Sequence, residues 1–318
     1  MIITMKKTFI ALLAIASVAA CNKADLVSVA EGDLISFGNA FVDNATKATD
    51  PSYSSNDIEK FNVYGTVNDV LIYPGTEITK TAYNEAWTCP VDQYWIPGAS
   101  YKFVGIVDGN VTEDSDVISK TNLEDGMPKS ITYNADGKTD LLCQTITKTA
   151  NTNGTPNGLV KFNYTHLLSK VNFKVVNKSA QADGYSFLVK NIKCEGYISA
   201  TYDVEDGEWT SPTVGNILFK NITVAAKAAS SELDTEVLLL PATVGVSFTV
   251  DILYDGNLVT TTDYNGYSHE LAVANSYNFI IEVSVGEKIE FTVEKQPEWT
   301  NGNTVDTDSD SIKDAVVL

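Results

Sequence analysis

The residue with the clearest chemistry is Cys21, which closes the run Val18-Ala19-Ala20-Cys21. Ahead of it stand Lys6 and Lys7, then an apolar run from Phe9 to Ala16. A positive start, a short apolar middle and small residues before the cut are the layout of a secretory signal. Cleavage before Cys21 leaves its thiol as the nucleophile that takes a diacylglycerol, and frees its amino group for acylation. Several acyl chains hold a protein on a membrane where a single one does not. The apolar run is too short to span a bilayer, which takes about 20 apolar residues. Asn22 comes next, so no acidic residue follows the cysteine, and delivery to the outer membrane is expected. Residues 1–20 are thus predicted to be signal peptide and 21–32 a lipidated linker.

The other reactive side chains are sparse. Cys89, Cys143 and Cys194 are odd in number and lack metal-type spacing. Either a Cys89–Cys143 bond or three free buried thiols fits the sequence. The two histidines, His166 and His269, leave little material for a histidine-based triad or a zinc site. His166 reads as a satisfied structural histidine and His269 as a loop residue. Nucleophile-elbow, P-loop, dinucleotide-binding and paired-histidine metal patterns are missing, so no catalytic residue and no cofactor is assigned. Asp306, Asp308, Asp310 and Asp314 alternate as the ligands of a calcium loop do. Ser311 stands where such a loop turns on glycine, and no glutamate closes it, so a solvated acidic tail competes with a cation site. Trp87, Trp95, Trp209 and Trp299 are spread along the chain and read as packing residues.

What positions these groups is a β framework. Phe61, Val63, Gly65 and Val67 alternate with polar neighbours, as do Val171, Phe173 and Val175. The same period of two runs through Val246 to Tyr254, Tyr277 to Val285 and Ile289 to Val293. It marks half-buried antiparallel strands, punctuated by turn formers at Asp108-Gly109, Asp136-Gly137, Asp206-Gly207 and Asp255-Gly256. No stretch keeps a helical period over three turns. The chain is therefore predicted to be all-β and built of sandwiches. Residues 149–158 are polar, aperiodic and rich in Asn, Gly and Pro. They are expected to link a domain at 33–148 to one at 159–299, with an acidic tail at 300–318. Apolar residues make up 44% of the chain, enough to fill packed cores. The formal charge of −19, with lysine as the only strong base, removes the cationic footprint that nucleic-acid binding requires.

Several stretches then resemble one family, the fimbrillins of the Mfa-like and FimA-like type in Bacteroidetes. Ile35-Ser36-Phe37, followed by Thr46-Lys47-Ala48-Thr49, looks like the family's first strand and processing loop. Tyr94-Trp95-Ile96-Pro97-Gly98, running on to Phe103, looks like its tyrosine-tryptophan-proline segment. Phe162 through His166, Ser169-Lys170-Val171 and Phe173 is similar to its most specific signature. Leu238 to Pro241, Tyr277 to Phe279 and Ile289 to Trp299 complete the pattern.

The resemblance implies two transthyretin-like antiparallel β-sandwich domains in tandem and a fimbrial subunit made as a lipoprotein precursor. It implies that proteolysis between Lys47 and Ala48 releases a first strand, Leu34 to Val42, carrying Ile35, Phe37 and Phe41. The groove so opened would take an extended segment of another subunit. The tail, with Val305, Ile312, Val316 and Leu318, is the candidate donor. Better-known members are cut after arginine; here Lys47 holds that place. The implied partners are copies of the chain or related subunits, the outer membrane through lipid on Cys21, and a surface ligand of host or bacterium. The alternative is a monomeric surface lipoprotein that binds glycans or host ligands through exposed aromatics.

Overall fold

Alternating burial turns the predicted period into strands. The computed structural model describes residues 32–38, 41–42, 58–80, 86–108, 116–179, 184–231 and 236–296. Among them the strands run Phe41–Val42 (β1), Lys60–Val67 (β2), Val70–Thr79 (β3), Ser100–Val107 (β4), Ile118–Glu124 (β5), Met127–Asn134 (β6) and Leu142–Thr149 (β7). Asn163–Tyr164 (β8), Ser169–Asn177 (β9), Tyr185–Asp203 (β10), Trp209–Leu218 (β11) and Ile222–Val224 (β12) follow. Val237–Leu239 (β13), Thr243–Tyr254 (β14), Asn257–Glu270 (β15), Ser276–Val283 (β16) and Glu290–Gln296 (β17) complete the series. No helix occurs among the described residues, and the chain is all-β as expected.

Hairpins fix much of the register. Asp255 and Gly256, between β14 and β15, both have positive φ (47° and 81°), the backbone of the two-residue turn whose twist suits paired strands. Asn68-Asp69 between β2 and β3, and Asp125-Gly126 between β5 and β6, repeat it. β2, β3, β4 and β7 form a four-stranded antiparallel sheet in the order β3-β2-β4-β7. β13, β9, β16 and β17 form a second, in which β9 and β16 run parallel. The largest sheet is organised on β10. Along one edge this strand pairs first with β14 and then with β6. Along the other it pairs first with β12 and then with β11.

Three buried clusters result. The first holds Ile35, Phe37, Phe61, Tyr73, Phe103, Phe162 and Tyr164 among others. The second lies between the β9/β16 sheet and the β10/β14 sheet, with Phe173, Phe187, Phe248, Phe279 and Phe291 at its centre. The third draws Ile106, Tyr133 and Cys143 from before residues 149–158, and Leu167, Leu168, Tyr202 and Leu240 from after them. Val160, Phe162 and Tyr164, on the far side of 149–158, belong to the first cluster. The segment 149–158 is itself tied down: Ala150 is buried, and the Asn157 side-chain oxygen accepts the Asn151 amide at 2.7 Å.

Cys89, Cys143 and Cys194 are free thiols. Burial pushes the Cys143 and Cys194 thiols up to about 12; it also raises the Cys89 thiol, but Cys89 is only half-buried, and its Sγ donates to the Val91 carbonyl. A thiol reacts as its thiolate. Iodoacetamide at about pH 8 should therefore alkylate Cys89 in the native protein and reach Cys143 and Cys194 only after unfolding. Tryptic mass mapping reads this directly; rapid native labelling of Cys143 would contradict the burial.

Candidate functional site

The stretch 33–38 behaves as a strand laid between two others. On one side the Ile35 amide donates to the Gln93 carbonyl and the Trp95 amide to the Asp33 carbonyl, each at 2.8 Å. Leu34 and Tyr94 are thereby an antiparallel pair. On the other side the Gly38 amide donates to Val160 and the Val160 amide to Ser36, again at 2.8 Å. Phe37 and Val160 pair in parallel, and β1 continues the same sense, with Phe41 opposite Asn163 and Val42 opposite Tyr164. At its head the Asp33 carboxylate accepts both the backbone amide and the side-chain amide of Asn157, at 2.6 and 2.8 Å.

Alternate side chains of this strand enter the first core. Ile35 is 2% exposed and Phe37 4%. The Phe37 ring meets Phe61, Tyr73 and Phe103 edge-on, at 6.3, 5.6 and 6.2 Å, and stacks over Phe162 at 6.5 Å. β2, β3 and β4 each contribute one of these rings because their alternation turns Phe61, Tyr73 and Phe103 to the same face. Two glycines make the room. A Cβ on Gly65 would lie 2.9 Å from the Phe103 and Tyr73 rings, and one on Gly105 would lie 2.3 Å from the Tyr164 hydroxyl.

Trp95 forms the far wall, packed on Tyr101 at 4.6 Å with the Lys148 ammonium over its ring at 4.8 Å. The Tyr101 hydroxyl accepts the Ile96 amide and donates to the Tyr94 carbonyl, which holds the loop that carries Trp95. Lys148 also donates to the Asn157 carbonyl, joining that wall to the loop that receives Asp33. Burial raises the Tyr73 phenol, with Cys89 adding to the effect, and raises the Tyr164 phenol well above its ordinary value. The site is lined by buried, mostly aromatic side chains. Its chemistry is the burial of side chains and the pairing of backbone.

Ile35 and Phe37 are thus brought together. Phe41 is placed through its backbone pairing alone. Cys21, Lys47 and Ala48 lie outside the described residues. So do the tail residues Val305, Ile312, Val316 and Leu318, and the acidic run Asp306, Asp308, Asp310 and Asp314. His166 is a fastening, as expected: its Nδ1 lies 2.7 Å from the Asp140 carboxylate, and it bridges to Leu142. His269 corrects the loop assignment. It lies within β15, paired with Val244 and stacked on Tyr267, because β14 and β15 extend well past their alternating centre. Trp209 packs against Tyr133 and Tyr202, as a packing residue should. Phe162, Tyr164 and Gly105 are groove residues that the sequence does not mark as such: Phe162 and Tyr164 stand in the alternation at 160, 162 and 164 and in the signature stretch, and Gly105 carries no signal of its own.

A buried phenylalanine replaced by alanine costs about 3–5 kcal/mol, so Phe37→Ala should lower the unfolding free energy by that amount, read as a lower urea midpoint at unchanged slope. Gly105→Ala should cost about 1–3 kcal/mol through overpacking against Tyr164 and Phe162. Equilibrium unfolding followed by tryptophan fluorescence measures both. Losses near zero would mean that 33–38 contributes nothing to the core.

A family model described as fimbrillin-like matches residues 46–296. No curated protein sequence matches the chain. Among solved structures, the fold resembles the crystal structure of a fimbrial protein from Bacteroides vulgatus ATCC 8482. That likeness has a TM-score of 0.57 at 14% identity and covers 84% of this chain and 99% of that one. A candidate cell adhesion protein from Bacteroides uniformis ATCC 8492 is similar with a TM-score of 0.50 at 18% identity, over 85% of this chain and 99% of that one. At these identities the likeness is one of fold. The family match spans most of the sequence, and so the chain belongs to the fimbrillin-like family, with a fimbrial role.

Proposed function

We propose that this chain is the precursor of a structural subunit of a cell-surface fimbria. It is exported as an outer-membrane lipoprotein acylated at Cys21 and polymerised by protease-triggered strand exchange. The observation that carries the reading is the burial of Ile35 and Phe37 in a core built otherwise, among the described residues, from residues after 57. The segment that supplies them precedes Lys47 in the chain. While the chain is intact, the segment is tethered to its own groove, and its high effective concentration excludes competing strands. Two buried apolar side chains contribute about 1.5–3 kcal/mol each, which holds a tethered strand but only weakly retains a free one.

Cleavage between Lys47 and Ala48 removes the tether. The emptied groove then presents an apolar slot flanked by unpaired amides of 93–95 and 157–160, a template for a new strand. The tail of another copy, with Val305, Ile312, Val316 and Leu318 at its apolar positions, is the donor in this reading. Ordering that tail costs conformational entropy, which the burial must exceed.

Treating the purified precursor with a Lys-specific protease should yield polymers that persist on an unheated denaturing gel. Truncation after Thr304 should leave the cut protein monomeric while still able to accept a tail peptide. Persistent monomer of the full-length chain, after confirmed loss of the segment before Ala48, would rule the reading out. Mass spectrometry of the surface form reports the role: an N-terminus at Ala48 belongs to a polymerised subunit, an acylated Cys21 to an anchor or unprocessed precursor.

A further inference from the structure

The outer side of the same seam is apolar. Ile35 and Phe37 point inward, so Leu34 and Ser36 face out, while Gly38 is buried beneath Leu159 and Lys161. Trp95 points inward, so Tyr94 and Ile96 face out. Val160 and Phe162 point inward, so Leu159 and Lys161 face out. The outward apolar side chains are well exposed: Leu34 43%, Tyr94 51%, Ile96 54% and Leu159 48%. They lie on three adjoining strands, since Leu34 pairs with Tyr94, and a Cβ on Gly38 would sit 2.8 Å from Leu159 Cδ1 and 3.1 Å from Lys161 Cγ. An apolar group of this kind on a soluble surface marks a contact.

Covalent connection identifies the occupant. Between Cys21 and Asp33 lie 33 − 21 = 12 residue steps of chain. Such a length of chain reaches at most about 40 Å. Resting on the lipid-anchor reading proposed above, we infer that in the intact precursor this face lies on the phospholipid surface that holds Cys21. Leu34, Ile96 and Leu159 enter the boundary of the acyl region, Tyr94 sits at the headgroup level as tyrosine does, and Lys161 faces the phosphates. A contact between subunits of a fibre is the poorer fit, because Leu34 belongs to the segment that strand exchange removes. On the membrane the same fact is useful: release of 33–42 takes Leu34 away with the lipid and breaks the face that holds the body down.

The test uses lipidated protein reconstituted in vesicles of phosphatidylethanolamine and phosphatidylglycerol that carry nitroxide-labelled lipid. In a Cys89→Ser background, an environment-sensitive thiol dye is placed at Ile96→Cys or, as a control on β11, at Leu218→Cys. Flotation with the vesicles reports the anchor, and quenching reports the face. The inference expects flotation with strong quenching at 96 and little at 218. Leu34→Ser with Leu159→Ser should keep flotation but lower the docked-to-free ratio at least about tenfold, since each buried CH2 contributes roughly a factor of four. Unsubstituted protein should show slowed amide exchange at 94–98 on vesicles, which guards against a misfolded variant. Flotation without quenching at 96, or with equal quenching at both sites, overturns the inference and leaves the lipid anchor standing. Failure to float overturns both. Shielding of the dye at 96 only when polymers form also overturns it, and assigns the face to contact between copies.

Discussion

A strand that completes a sandwich from its edge must satisfy two demands at once: amides on both sides need partners, and alternate side chains need a pocket. Residues 33–38 meet both in one turn of chain, with Phe37 ringed by Phe61, Tyr73, Phe103 and Phe162. Much of the surrounding architecture follows from that insertion. Gly65 and Gly105 are bare because rings occupy the space their side chains would fill. Trp95 is held by Tyr101 and Lys148 because a wall has to stand where no sheet closes the slot. The anchoring of Asp33 by Asn157 ties the entry of the strand to the loop on its other flank.

Several continuous pieces of chain join the three cores. Phe162 and Tyr164 fill the first cluster, Leu167 and Leu168 the third, and Val171 and Phe173 the second. One stretch of twelve residues therefore contributes to every buried cluster named above, and the His166–Asp140 contact pins it midway. β10 does the same at sheet level, passing from partners β12 and β14 to partners β11 and β6. Disturbance in one cluster is thereby shared through covalent continuity as well as through packing.

The strands legible in the sequence are those in which apolar and polar residue types alternate. β2, β9, β14, β16 and β17 each carry an uninterrupted apolar alternation, and each forms where that pattern lies. β10 was not legible as one strand of nineteen residues. Asn191 adopts φ 54° at a register shift between Lys190 and Lys193, so Phe187 and Val189 face the core on odd positions and Ile192 and Cys194 on even ones. A bulge resets the period, and a window that spans it shows neither phase. β11 and the outer half of β15 are edge strands rich in Thr, with Pro212 tolerated in β11 because no second partner needs its amide. The groove strand was visible as Ile35 and Phe37, but its walls were not. Trp95, Gly105 and Phe162 come from distant places, and their convergence is a product of topology, which local spacing does not encode.

The pairing of Asp33 with Asn157 bridges 124 positions in sequence, and this separation bears on the order in which the molecule assembles. Contacts that close a long loop form late, because the chain entropy must be surrendered before the contact returns anything. The hairpins β2/β3 and β5/β6 close over two-residue turns and precede it. Among the described strands, the one made first on the ribosome accordingly docks after these hairpins. Until then the body passes through a state with its slot open, the same slot that its own leading strand will later occupy.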